Sequence, residues 1–195
     1  MKNVMMFQEN SANANAQVLD QVFQLRHETF IKRLGWEISS HQGRERDQFD
    51  DLNPFHITVT DAAGQQVLGC WRALPSQGLY MLKDVFPQLL QGEVAPQEEN
   101  VWEISRFAVN KNLRDTEQGY YADTTIELVR SFYDFAIARG ITSYVTVTTV
   151  ACERILRQLG VTMRRLGDGK ALQIGVERSV ALQIEVNENL RINRH

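Results

Sequence analysis

Four charged side chains stand inside stretches that otherwise read as buried. Arg26 falls between Phe23 and Phe30 on an apolar helical stripe, Arg72 interrupts L-G-C-W-R-A-L, and Glu103 and Arg106 interrupt V-W-E-I-S-R-F-A-V. An ionised group taken out of water is costly unless it is paired, so each of them demands a partner. The polar segment from Glu37 to Pro54 offers Asp47 and Asp50. Three arginines against Asp47, Asp50 and Glu103 balance in charge, and such a network would tie the first helix and the polar segment to the sheet. Period two sends Glu103, Ser105 and Phe107 to one face of their strand and Trp102, Ile104 and Arg106 to the other. For Arg72 and Arg106 a structural role is preferred. For Glu103 a structural role and general-base chemistry both stand open.

The elements that must position these groups follow from periodicity. Leu19, Val22, Phe23 and Phe30 recur at helical spacing, which predicts a helix over about Ala16 to Leu34. Glu37 to Pro54 shows no period and reads as a long loop, a kind that is often functional. His56 to Thr60 and Gln66 to Leu74 flank D-A-A-G-Q and predict a hairpin. A short amphipathic segment, Met81 to Leu90, precedes the strand Val101 to Val109. A helix from about Glu117 to Arg139 ends at Gly140, Ile141 to Val150 reads as a strand, and a short helix containing Cys152, Ile155 and Leu159 stops at Gly160. Leu172 to Val176 and Ser179 to Val186 are the last strand candidates. Interleaved strands and helices predict a three-layer α/β sandwich around a mixed sheet, and a length of 195 residues predicts a single domain over 1–195.

Other chemistries lose their usual support. The formal net charge of -3 gives no global attraction to nucleic acid. Only Cys70 and Cys152 are present, each in an apolar stretch, which predicts reduced core thiols and a reducing, cytoplasmic compartment. His27, His41, His56 and His195 lack metal-ligand spacing, so no metal is expected. No G-x-S-x-G or P-loop glycine pattern occurs. No apolar run long enough to cross a bilayer exists, so no integral membrane association is expected. Of the tryptophans, Trp36 is favoured for ligand contact because it opens the polar segment, whereas Trp71 and Trp102 read as core.

Four blocks together resemble the LuxI-type acyl-homoserine-lactone synthases. They are R-x-x-x-F-x-x-R-L-G-W at Arg26, Phe30 and Trp36, E-R-D-Q-F-D at Glu45 to Asp50, G-C-W-R ending at Arg72, and W-E-I-S-R-F at Trp102 to Phe107. Y-M-L-K-D-V-F-P, T-V-T-T-V and I-G-V-E-R-S-V-A-L look most like the subgroup making long-chain 3-oxoacyl signals. The resemblance implies an acetyltransferase-like fold and no cofactor. It implies acyl carrier protein as acyl donor and S-adenosylmethionine as the second substrate, with an acylated homoserine lactone, a quorum-sensing signal, as product. It assigns chemistry to Glu103, Arg106 and Ser105, with Glu103 collecting the amine proton through water and strand N–H groups near Phe107 facing the oxyanion. It assigns S-adenosylmethionine contacts to Arg26, Phe30, Trp36, Asp47 and Phe107, with Asp50 and Arg72 as structural ions.

Two further expectations concern the donor. Arg154 and Arg157, one turn apart, and Arg164 and Arg165 just beyond form a basic patch suited to an acidic carrier protein. Thr146 and Thr148 point to the same side of their strand. In the resembled family a threonine matching Thr146 accompanies preference for 3-oxoacyl donors. The alternative is an acyl-CoA-dependent N-acyltransferase of the same fold. The R-D-T-E-Q-G-Y-Y stretch, with one glycine, departs from the usual pyrophosphate loop of such enzymes.

Overall fold

The computed structural model describes residues 2–111 and 119–192. The start expected for the helix at Glu117, most of the R-D-T-E-Q-G-Y-Y stretch and His195 lie outside the described residues. The chain divides into two compact units, Met1–Ala73 with Arg106–Ser131, and Leu74–Ser105 with Phe132–His195.

The first unit holds β1 (Asn3–Gln8), β4 (Phe55–Thr60) and β5 (Val67–Pro75), in antiparallel pairs, followed by the second part of β6 (Val101–Val109). The predicted hairpin is β4–β5, and its turn is held by Asp61, whose carboxylate accepts from the N–H groups of Gln65 and Gln66. Helix α1 (Ala16–Arg26) starts at Asn15, whose side chain accepts from Val18 N–H. Its stripe of Leu19, Val22, Phe23 and Leu25 packs with Phe7, Val67, Cys70 and Ala108. The helical run continues to Arg33 as predicted, but its last seven residues, His27–Arg33, wind as a π-helix. Such turns are rare and frequent at functional sites. The glycine of G-C-W-R has a packing reason: a Cβ at Gly69 would lie 2.7 Å from Leu128 Cδ1 and 3.1 Å from Ala108 O.

The polar segment is more ordered than a structureless loop. It forms a small hairpin of β2 (Ser40–His41) and β3 (Arg44–Glu45), then a 3₁₀ turn at Asp50–Leu52. Gln42 (φ 49°) and Gly43 (φ 74°) both take positive φ at the tip, the conformation of a tight hairpin turn. Strands two residues long carry no periodicity, and what holds them is the ion pairing described below.

In the second unit the first part of β6 pairs parallel with β7 (Ser143–Thr149), and β10 (Glu177–Glu185) pairs antiparallel with β7. Strands β8 (Met163–Arg165) and β9 (Leu172–Ile174) both pair with β10. The expected mixed α/β sheet is thus present, including β1 and β8, which the sequence reading missed. Helix α2 (Met81–Asp84) is a single turn, and α3 (Gly119–Ile137) runs from the first unit into the second. Helix α4 (Val150–Gln158) begins at Thr149, whose hydroxyl accepts from Cys152 N–H. Among the described residues no helix is long and apolar enough to cross a membrane.

Candidate active site

The segment Arg44 to Asp47 alternates in charge and direction. Arg44 and Arg46 turn outward to Asp20 and to Glu9 and Asp51. Glu45 and Asp47 turn inward to a buried cluster of arginines. Arg26 donates from Nε to Glu45 and from both Nη atoms to Asp50, at 2.8 Å each. Arg72 donates to Asp47 and Asp50. Arg106 pairs with Glu45 at 3.0 Å and with Asp47 at 2.8 Å. Burial alone would raise the Asp50 carboxyl, but Arg26 and Arg72 outweigh it and hold that group far below the usual carboxylate range. Burial likewise works against the charge of Arg26, and Asp50 and Glu45 reverse it.

Five residues singled out in the sequence therefore do meet: Arg26, Asp47, Asp50, Arg72 and Arg106. The sixth is Glu45, not Glu103. Glu45 lies within E-R-D-Q-F-D, where the sequence alone gives it no role. The available signal was its period-two relation to Asp47. Exposure separates the members: the side chains of Arg26, Arg72, Glu45 and Asp50 are at most 1% exposed, whereas those of Arg106 and Asp47 reach 7% and 14%. Arg26, with all three guanidinium nitrogens engaged, is an anchor more than a ligand contact.

Aromatic rings border the network. Phe30, in the π-helix, stacks on Trp36 with centroids 4.8 Å apart, and Trp36 N–H donates to Phe30 O. The Arg106 guanidinium lies 5.5 Å from the Phe30 ring centroid. Trp36 and Phe107 are half-buried and Phe30 is buried. Arg106 itself has φ 55°, a left-handed conformation that is costly for a residue with a side chain. The simple alternation expected along β6 breaks at that point.

Glu103 has a different setting in the second unit. Its two oxygens accept from the N–H groups of Met81 and Leu82, at 2.9 and 2.8 Å, so the carboxylate sits at the start of α2. The motif Y-M-L-K-D-V-F-P thus meets W-E-I-S-R-F at this residue. Ser105 is buried beyond it. Register places Glu103 beside Val145 and Ile104 beside Thr146, so Glu103 and Thr146 belong to opposite faces of the sheet. Thr146 sits between Ile104 and Leu182 in the ladder and is 6% exposed. Its hydroxyl donates only to Val147 O, at 3.5 Å, the outer limit of a hydrogen bond. Thr148, on the same side, is half-exposed.

The basic patch is largely neutralised. Glu153, 3% exposed, accepts from Arg157 and Arg165, which hold its carboxyl below the usual range, Arg165 contributing most. Arg164 pairs with Glu93. Among the described residues Arg154 alone of the four has no ion-pair partner, and it lines an open pocket of about 260 Å³ with Val150, Glu153, Arg157 and Arg165. Cys152, expected in the core, is exposed, because α4 turns Glu153 inward in its place. Cys70 is buried as expected. Among the described residues no His, Cys, Asp or Glu cluster is able to hold a metal.

A profile of the autoinducer synthase family matches residues 9–192. The chain belongs to the autoinducer synthase family. It is an acyltransferase of the acyl-homoserine-lactone synthase type. An acyl-homoserine-lactone synthase of Aliivibrio fischeri is 41% identical over 170 residues, covering 87% of each chain. The crystal structure of the AHL synthase LasI superposes with a TM-score of 0.87 at 35% identity, over 98% of this chain and 93% of that one. A CoA-dependent acyl-homoserine lactone synthase, BjaI, solved with MTA, has a TM-score of 0.85 over 98% of this chain and 86% of its own. At 22% identity it shares the fold alone.

For this autoinducer synthase the network makes a direct stability prediction. Asp50→Asn, nearly isosteric, leaves Arg26 and Arg72 short of a buried countercharge, which costs about 3–5 kcal/mol. Denaturant unfolding measures that loss, and a change within about 0.5 kcal/mol, as for a plain surface site, contradicts the account.

Proposed function

We propose that this synthase takes a long-chain 3-oxoacyl group from acyl carrier protein and transfers it to S-adenosylmethionine. The observation that carries the donor reading is Thr146. A buried hydroxyl between Ile104 and Leu182, with only a 3.5 Å bond to Val147 O, has hydrogen-bonding capacity to spare. A 3-oxo carbonyl would use it. Arg154, exposed and outside the ion pairs that engage Arg157, Arg164 and Arg165, supports contact with an acidic carrier. Both substrates would place the reaction in the cytoplasm.

A homoserine lactone requires a homoserine unit whose γ-carbon carries a good leaving group, and S-adenosylmethionine meets that need. Its α-amine attacks the thioester carbonyl, forming the amide and releasing the carrier thiol. Its carboxylate oxygen then attacks the γ-carbon, closing the ring as the C–S bond breaks and methylthioadenosine leaves. Asp47 and Arg106, the more exposed members of the network, face the ligand with Phe30, Trp36 and Phe107, and Arg26, Glu45, Asp50 and Arg72 hold them from behind. The sulfonium suits an aromatic face. Glu103 collects the amine proton through a water.

The test is an assay of purified protein with S-adenosylmethionine and matched thioesters, read by mass spectrometry of lactone and methylthioadenosine. The 3-oxoacyl carrier protein is the best donor, and an equal or higher efficiency with the CoA thioester overturns the carrier assignment. Thr146→Val lowers kcat/KM on the 3-oxo donor up to about tenfold more than on the unsubstituted one, the worth of one hydrogen bond. Equal losses would make Thr146 a packing residue.

In the same assay Glu103→Gln reduces turnover about a hundredfold or more, as loss of a general base does. Glutamine also forfeits one of the two N–H bonds at α2, so stability is measured beside rate. Near-normal turnover would leave Glu103 as the anchor of α2 only.

A further inference from the structure

His56 lies beneath the ion network of the first unit and the reaction does not use it. It is 1% exposed, and among the described residues its Nε2 has no hydrogen-bond partner. Thr58 Oγ1, two residues along the same face of β4, has none either. The imidazole is bordered by Phe7 of β1, 6.0 Å between centroids, and edge-on by Phe23 of α1, at 5.9 Å. Across β4–β5 it stands opposite Arg72.

The charged groups around it come from every neighbouring element. Arg26 of α1, Arg72 of β5 and Arg46 beyond β3 oppose a proton on the ring, and Asp50 favours one; Glu45 and Asp47 of the same network are engaged by Arg106. Asp50 is already engaged by Arg26 and Arg72. Arg26, Arg72 and Arg106 are matched by Glu45, Asp47 and Asp50, so a fourth cation in this dry cluster has no countercharge of its own.

We propose that His56 is an acid-sensitive element of the fold: its imidazole takes no proton while it is packed against the charge-balanced network, so acid favours the form in which the hairpin that carries Glu45 and Asp47 has come loose. Burial, with the arginines, pulls its pKa down to about 4. The sign follows from linkage. Above about pH 6.5 the ring is neutral whether folded or not, and nothing is lost. Between about 6.5 and 4 the unfolded chain binds the proton and the folded one does not, so stability falls across that window. Asp50, held far below the carboxylate range, stays ionised throughout.

The experiment follows the His56 imidazole resonance, identified by its absence in His56→Phe, while folded wild-type protein is titrated from pH 8 to 5. Thermal or denaturant unfolding over the same range compares wild type with His56→Gln and His56→Phe. The resonance is expected to stay that of neutral imidazole, and the wild-type folding constant to fall about thirtyfold more than that of either variant. A resonance titrating near pH 6.5 in folded protein, or variants with the wild-type pH profile, overturns the proposal. If neither variant folds, through-bond correlation of the His56 ring to its own backbone amide in isotopically labelled wild type identifies the resonance and the titration decides. The effect on activity rests on reading Asp47 as a ligand contact, and predicts a KM for S-adenosylmethionine that rises with acid more steeply in wild type than in either variant. An unchanged KM with the structural results intact counts against that ligand reading instead.

Discussion

Six charges confined to a buried cluster set the terms for the first unit. Desolvating three arginines and three carboxylates is tolerable only if every one is paired, and removing a single partner strands another. That demand joins parts of the chain far apart in sequence: helix α1 through Arg26, the small hairpin through Glu45 and Asp47, the 3₁₀ turn through Asp50, and strands β5 and β6 through Arg72 and Arg106. Hydrophobic burial of Leu19, Val22 and Phe23 attaches α1 to the sheet. The ion pairs, being directional, fix where the hairpin lies.

Two departures from regular structure adjoin the network. The π-helical winding after Arg26 brings Phe30 against Trp36, and the left-handed residue Arg106 is held by Glu45 and Asp47 at its guanidinium. Strain of this kind persists only where surrounding contacts over-determine it. The second unit solves a simpler problem: Glu103 is stabilised by two N–H groups of α2, and a parallel strand pair sets the faces on which Glu103 and Thr146 stand.

Much of this was legible in the sequence. Arginines on apolar stripes announced themselves because a buried charge is anomalous, and Asp47 and Asp50 were the evident counterions. The β4–β5 hairpin, β6, β7 and the helix ending before Gly140 followed from period and turn chemistry. Glu45 was missed because a polar segment with mixed charges has no period to say which carboxylates turn inward. Cys152 was misplaced because the apolar side of α4, with Cys152 and Ile155, is the exposed one, and only the Arg157 and Arg165 partners reveal that Glu153 is turned inward. The left-handed turn at Arg106 has no signature in V-W-E-I-S-R-F-A-V, since a non-glycine residue adopts it only under tertiary constraint.

In the proposed reading the buried network holds the hairpin of residues 40–50 beside S-adenosylmethionine. Amide hydrogen exchange, with and without S-adenosylmethionine, tests it most directly, because a segment held by few backbone bonds of its own reports its docking through exchange. The account predicts that the ligand slows exchange across 40–50 and the turn after Trp36 more than in the α4 to β9 segment. Unchanged exchange at 40–50, with protection appearing elsewhere, would contradict it.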